Sequence, residues 1–366
     1  MKALGIILAG GNGRRMRELS RKRAVAAMPV AGSYRAIDFA LSNMTNSQIG
    51  KVAVITQYSS RSLNEHLSSS KWWDFGRKQG GLFVFNPTIT PQNNEWYRGT
   101  ADALAQNLNF LRDSHEPYVV IVPGDGVYKL DYNQVIEYHM QKEADITVVC
   151  KQLPAGTDVS RFGVVELDPN MRIVGFEEKP AITELNMVSC GIYVVRRRLL
   201  ISLLEQCEEM EWFDFVRDVL MRQRRAKKIY AYPLQGYWAN ISTVDAYYQC
   251  NMDFLEPAVR QEFFYDDPEI YTKVDDNPPA KFNPGALVEN SLVASGTIIN
   301  GTIQDSVIFK KVFVGSGCRI QNCIILNDVS IGDGVVLENC IVESRTKIQA
   351  GTQVRGEEGA IRIVTH

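Results

Sequence analysis

Apolar residues gather in short continuous runs along the first half of the chain: ALGIILA (3–9), KVAVITQY (51–58), YVVIVPGD (118–125) and DITVVCK (145–151). Between them lie stretches with apolar positions at helical spacing, such as ADALAQNLNFLR (101–112). Continuously apolar strands alternating with helices predict a mostly parallel sheet with helices on both faces. Ligands of such sheets bind beyond the carboxyl ends of the strands. Here those ends read AGGNG and PGDG. Further on, FGVVELD (162–168), RIVGFEEKP (172–180) and SCGIYVVR (189–196) are strand-rich with little helix between them. They predict a β-rich insertion lining one side of the site. Helical patterning returns near 198–225 and 243–256.

Residues 257–285 are rich in Pro, Asp and Asn and read as a linker. After them the rhythm changes. ENSLV, QDSVI, QNCII and ENCIV start at 289, 304, 321 and 338, so the spacings are 15, 17 and 17 residues. VGSG at 314 and IGDG at 331 fall one repeat apart. Apolar residues about six apart, with glycines at corners, predict coils of three short strands. Each coil buries its apolar side chains only by stacking on the next, as in a parallel β-helix. About four coils fit the repeat. A plain antiparallel β-domain explains the alternation but not the fixed spacing.

Composition narrows the function classes. The chain has 366 residues, 45% of them hydrophobic, enough for two domains with real cores. Its 40 basic and 42 acidic residues leave a net charge of −2. Nothing in that balance draws nucleic acid or an anionic membrane. Seven scattered cysteines and four histidines show no zinc-ligand spacing and fit reduced thiols in a cytoplasmic protein. The N-terminal apolar run is too short for a signal peptide and reads as a first strand. No apolar run approaches the ~20 residues of a membrane span.

Three places invite chemistry. Gly10, Gly11 and Gly13 let backbone N–H groups approach an anion, and Arg15 adds a fork suited to phosphate. The spacing matches neither G-x-x-x-x-G-K-[ST] nor G-x-G-x-x-G, so a tight turn explains the glycines equally well. Asp125, flanked by glycines at a strand end, can hold Mg²⁺ against phosphate oxygens, or simply make a turn. Lys179, in Glu178-Lys179-Pro180, offers a compact charge for a sugar phosphate, or a surface ion pair.

The combination is more specific than its parts. LAGGNGRR, RAIDFALSN (35–43), TQY (56–58), WYRGTADAL (96–104), GDGVYKLDY (124–132), SRFGVV (160–165), FEEKP (176–180), SCGIY (189–193) and GYWANISTVDAYYQCNMD (236–253) occur in one order. That series resembles the ADP-glucose pyrophosphorylase (glucose-1-phosphate adenylyltransferase) family over nearly the whole chain. The resemblance implies a Rossmann-like nucleotidyltransferase α/β domain over 1–256, a linker over 257–285, and a left-handed β-helix of hexapeptide-type repeats over 286–366. It implies chemistry that joins ATP and glucose 1-phosphate into ADP-glucose and pyrophosphate, the activated donor for bacterial glycogen. Catalysis would rest on positioning and on charge neutralisation by Mg²⁺, Arg and Lys. Carried over position by position, Gly10, Gly11, Gly13 and Arg15 would cradle the triphosphate. Tyr97 and Gly163 would lie against the substrates. Glu178, Lys179 and Ser189 would hold glucose 1-phosphate, and Asp125 the metal.

The chain departs from the family at three places. Catalytic members read KRAKPAV where this chain reads KRAVAAM, so Val25 stands in place of a lysine. They read GDHIY where it has GDGVY, which makes the histidine Gly126. They read GYWKDVGT where it has GYWANIST, so the second metal-binding aspartate is Asn240. A lost charge-assisted hydrogen bond costs about 1.5–3 kcal/mol, and two such losses predict chemistry slowed by roughly 10²–10⁴. The pattern resembles a divergent, GlgD-type subunit that associates with the catalytic subunit in a hetero-oligomer, a tetramer in the family, and modulates it. An active adenylyltransferase is the alternative, and an acyltransferase of the hexapeptide-repeat type a remote one. Two smaller features stay open. RQRRAKK (222–228) reads as a solvated helix end or as an anionic effector site, and SKWWDFGRKQGG (70–81) as a mobile loop or as core anchoring.

Overall fold

The computed structural model describes residues 2–76, 80–88, 96–357 and 359–365. Part of the two-tryptophan loop, residues 77–79, lies outside them. In space the chain forms two compact units, each drawn from separate segments. The sheet unit comprises Met1–Gly11, Ala40–Tyr58 and Ser69–Trp238, and the coil unit Asn12–Phe39, Ser59–Ser68 and Ala239–His366.

The sheet unit is built on nine strands: β1 (Ala3–Ala9), β2 (Lys51–Thr56), β3 (Gly81–Phe85), β4 (Tyr118–Pro123), β5 (Ile146–Gln152), β6 (Gly163–Leu167), β7 (Ile173–Glu178), β8 (Met187–Arg196) and β9 (Ile229–Pro233). Their order is β7-β6-β8-β4-β1-β2-β3, with β5 pairing β8 and β9. The pairs β4-β1, β1-β2 and β2-β3 are parallel. The predicted β-rich insertion is antiparallel: β6 pairs β7, and β8 runs against β4, β5 and β6. In the parallel core Leu4, Ile7, Val54 and Ile121 are fully buried, as two-sided burial requires. Leu8 pairs with Pro123 and Ala9 with Thr56, so three carboxyl ends finish level.

Local chemistry trims the expected helices. The stretch 101–112 is two short helices, Thr100–Ala105 and Leu108–Arg112. Asn107 separates them, because its side chain donates to the Ala103 carbonyl in competition with the helix ladder. The stretch 198–225 likewise divides into Arg197–Glu209 and a wide turn, Phe215–Met221, capped by the Asp214 carboxylate. Trp73 is fully buried, so this tryptophan anchors the core. No helix among the described residues is long and apolar enough to cross a membrane.

In the coil unit the repeat forms three five-stranded parallel sheets among the described residues, so five coils stack where the repeat predicts about four. The fifth, with strands Lys347–Ile348, Gln353–Arg355 and Arg362–Val364, lacks the E/Q-N/D-S/C signature and so escapes a motif count. The signature has a physical basis. Its second residue, Asn290, Asp305, Asn322 or Asn339, turns a corner with φ of 40–51°, which Asn and Asp tolerate best among residues with a side chain. Its third residue joins neighbouring coils: the Ser291 hydroxyl accepts from the Ser306 N–H, and the Ser306 hydroxyl from the Cys323 N–H. Ile303, Ile320 and Leu337 stack in register as the apolar core. The same unit holds residues 12–39, through Tyr247 Oη to the Pro29 carbonyl at 2.7 Å and the Ala31 N–H to Asn251 at 3.0 Å. Phe254 and Phe263 are fully buried beside Phe39, although their segment borders a polar stretch.

Candidate functional site

In the sheet unit Gly10 follows β1, and the Gly124 N–H reaches back to the Leu8 carbonyl at 2.9 Å. This brings the glycine loop and Asp125 to neighbouring strand ends. A Cβ on Gly10 would sit 3.6 Å from Gln57, while Gly11 faces open space. Gln57 brackets the Tyr97 backbone, accepting from its N–H at 2.8 Å and donating to its carbonyl at 3.4 Å. Tyr58 and Trp96, both exposed, stack at 5.7 Å. Sequence reasoning quoted TQY and WYR as motifs but assigned Gln57 and Trp96 no role. The Gln57–Tyr97 pairing across 40 residues, and the Tyr58–Trp96 stack, are visible only in the fold.

The insertion gathers the sugar-phosphate candidates. The β6-β7 register sets Gly163 opposite Glu178. A Cβ on Gly163 would lie 2.7 Å from the Phe176 ring and 3.0 Å from the Glu178 carboxylate, so only glycine lets that carboxylate lie flat. Lys179 follows with φ of 51°, a strained value for a lysine, held by its N–H on the Phe162 carbonyl at 3.0 Å. Its Nζ rests 3.0 Å from the Glu178 carboxylate, with Lys179 half exposed and Glu178 largely buried. Ser189 lies at an irregularity in β8, where its hydroxyl accepts from the Gly191 N–H at 3.3 Å. Two further groups join it. The buried Tyr193 hydroxyl lies near Ser189, and burial, with Glu178 and Asp214 nearby, raises its pKa above the ordinary value. Phe215 packs on the Tyr193 ring at 5.2 Å. Glu178, Lys179, Ser189, Tyr193 and Asp214 therefore form one polar cluster.

The coil unit holds the other candidates. Gly13 has φ of 60°, and its carbonyl accepts from Ser20 Oγ and the Met16 N–H, both at 2.8 Å. Arg15 is exposed on the short helix that follows. Val25 is buried, with its methyl 3.1 Å from where a Gly13 Cβ would be. An apolar contact fills the position of the expected lysine. Asn240 is turned inward on its own chain: its amide oxygen accepts from the Ser242 N–H at 3.2 Å and from the Ser242 hydroxyl at 2.5 Å. Gly126, in the sheet unit, has no room for a side chain, since a Cβ would meet the buried Tyr128 ring at 2.9 Å. Among the described residues no three His, Cys, Asp or Glu side chains cluster as a metal cage. Asp125 alone fits the looser arrangement in which Mg²⁺ is held by a carboxylate and by substrate phosphates.

The coil unit also contains a basic cavity of about 650 Å³. Lys22, Arg35, Arg61 and Arg345 line it, and Arg23 is tied to Glu343 at 2.5 Å. The hydroxyls of Ser62 and Ser344, both in its wall, are buried without partners among the described residues. Burial holds the Arg35 pKa below its usual value. Unpartnered hydroxyls in a wall that also carries Lys22, Arg35 and Arg345 suit an oxyanion. In the basic run 222–228 two of the cations are held in ion pairs. Arg222 pairs with Asp218 at 3.3 Å and lies over the Trp212 ring, and Lys228 pairs with Glu143 at 3.5 Å.

Two family models match the chain: "Nucleotidyl transferase" over residues 4–257 and "GlmU-like, C-terminal hexapeptide" over 278–360. A glucose-1-phosphate adenylyltransferase of Geobacillus stearothermophilus is 38% identical over 319 residues, 86% of this chain and 82% of its own length. That of Thermotoga maritima is 38% identical over 318 residues, 86% and 75% of the two chains. That of Bacillus thuringiensis (strain Al Hakam) is 37% identical over 366 residues, 99% of this chain and 97% of its own.

Proposed function

Because the chain belongs to the glucose-1-phosphate adenylyltransferase family, we propose that it is a catalytically impaired, regulatory member of that family. It works in the cytoplasm in a hetero-oligomer with an active subunit, in the supply of ADP-glucose for glycogen. One observation carries this reading. The two positions where the family places charge for the polyphosphate hold a buried valine packed on Gly13 and an amide oxygen already bonded to Ser242. Domains over 1–256 and 286–366, joined by 257–285, divide the work: substrate binding in the first, assembly in the second.

Glu178, Lys179, Ser189 and Tyr193 bind and orient the sugar phosphate. Gly10 and Gly11 present backbone N–H groups to the nucleotide. Asp125 would hold Mg²⁺, which when bound supplies neutralising charge to phosphate oxygens. Without a lysine at 25 and a carboxylate at 240, developing charge in the transition state is under-compensated. The basic cavity supports the regulatory part of the reading, since its orphaned hydroxyls and cations suit a phosphorylated effector.

The test is pyrophosphate release from ATP and glucose 1-phosphate, by this chain alone and then mixed with a catalytic homologue. The expected result is little turnover alone and increased turnover in the mixture. Robust turnover alone would establish the second reading, an active adenylyltransferase, which the 37% identity over 99% of the chain favours.

A further inference from the structure

A cavity of about 330 Å³ opens beside Tyr97 in the sheet unit, at the small end of the range typical for ligand sites. Its wall is unusually rich in side-chain amides. Asn107 donates to the Tyr97 hydroxyl at 3.1 Å and to the Ala103 carbonyl at 2.8 Å, which fixes the phenol at the rim. Asn86 and Asn109, also in the wall, have no side-chain partner among the described residues.

One cation and two carboxylates stand nearby among the described residues. Arg112 pairs with Glu205 at 2.8 Å, and Glu208 adds a second carboxylate, its pKa raised chiefly by burial. A phosphate here would meet carboxylates and no spare cation, the reverse of the basic cavity in the coil unit. Side-chain amides both donate and accept, as sugar hydroxyls do. An aromatic ring at the rim offers a face to the C–H surface of a sugar.

We propose that this cavity binds a neutral saccharide, at a site separate from the Glu178–Lys179 cluster, so that Tyr97 serves the saccharide and not the sugar phosphate. The cavity's chemistry names the ligand class, and the choice of a glucose oligomer as first probe rests on the proposed function. Calorimetry on the full chain would titrate maltoheptaose, cellopentaose and trehalose, and separately glucose 1-phosphate. Expected is saccharide binding that weakens at least about fivefold in N86A/N109A, both exposed positions, with glucose 1-phosphate binding unchanged. K179A should give the opposite result. Binding of none of the three saccharides would overturn the proposal, as would unaltered binding by the double variant or displacement of the saccharide by glucose 1-phosphate. Loss of glucose 1-phosphate binding in the unmodified chain would overturn the sugar-phosphate reading instead and leave this site standing.

Discussion

The Glu178–Lys179–Ser189 cluster and the Gly13–Val25 turn have met opposite fates. In the first, a glycine kept clear of side chain, a lysine held at positive φ and a buried tyrosine hydroxyl preserve charge and hydrogen-bonding capacity. In the second, the space is filled by a valine methyl and the polar groups are bonded within their own turns. On the proposed function, the fold keeps one half of the binding chemistry and packs closed the other; the buried Val25 methyl adds apolar contact to the core.

The largest effect should come from the preserved cluster. K179A with E178Q should weaken glucose 1-phosphate binding about 10- to 100-fold by calorimetry, since both charge-assisted contacts go. If affinity hardly changes, the cluster is only a surface ion pair and the contrast fails. From the other side, Val25→Lys with Asn240→Asp should raise pyrophosphate release by at least about tenfold. An unchanged rate in that double variant would mean that these positions do not limit turnover. Gly163→Val tests how far the preserved cluster depends on an empty Cβ position. Overpacking against Phe176 should cost about 1–3 kcal/mol in denaturant unfolding and weaken glucose 1-phosphate binding with it.

A pH effect is expected at the buried contact between the helix Tyr132–Gln141 and β5. His139 is fully buried, its Nδ1 bonded to Thr147 at 2.8 Å and its Nε2 without a partner among the described residues. Burial, with Arg196 adding to it, lowers its pKa to about 4 from 6.5. The unfolded chain takes up that proton as pH falls below 6.5 and the folded one only near 4. Stability should therefore fall as pH drops through that window, by up to about 1.4 kcal/mol per unit from this group. His139→Gln should flatten the slope in urea melts at pH 4.5–6.5, and an unchanged slope would assign it to other groups.

Much of this was legible in residue order. Continuous strand runs follow from burial on both faces and the repeat from one buried face per coil, so the α/β domain and the β-helix could be read directly. The fifth coil could not, because its strands pair with the neighbouring coil whether or not the corner motif is present. The break at Asn107 could not either, since helical periodicity continues across it while the side chain bonds elsewhere.

The sequence by itself determined the family, the order of the elements and the identity of the missing charges, for these are properties of residue type and spacing. Only the tertiary structure decided that Gln57 brackets Tyr97, that Tyr193 lies near Ser189, that Val25 packs on Gly13, and that the buried Ser62 and Ser344 hydroxyls lack partners among the described residues. Contacts between residues distant in the chain depend on how strands register and coils stack, and that geometry is fixed by the burial of the whole core rather than by any local stretch.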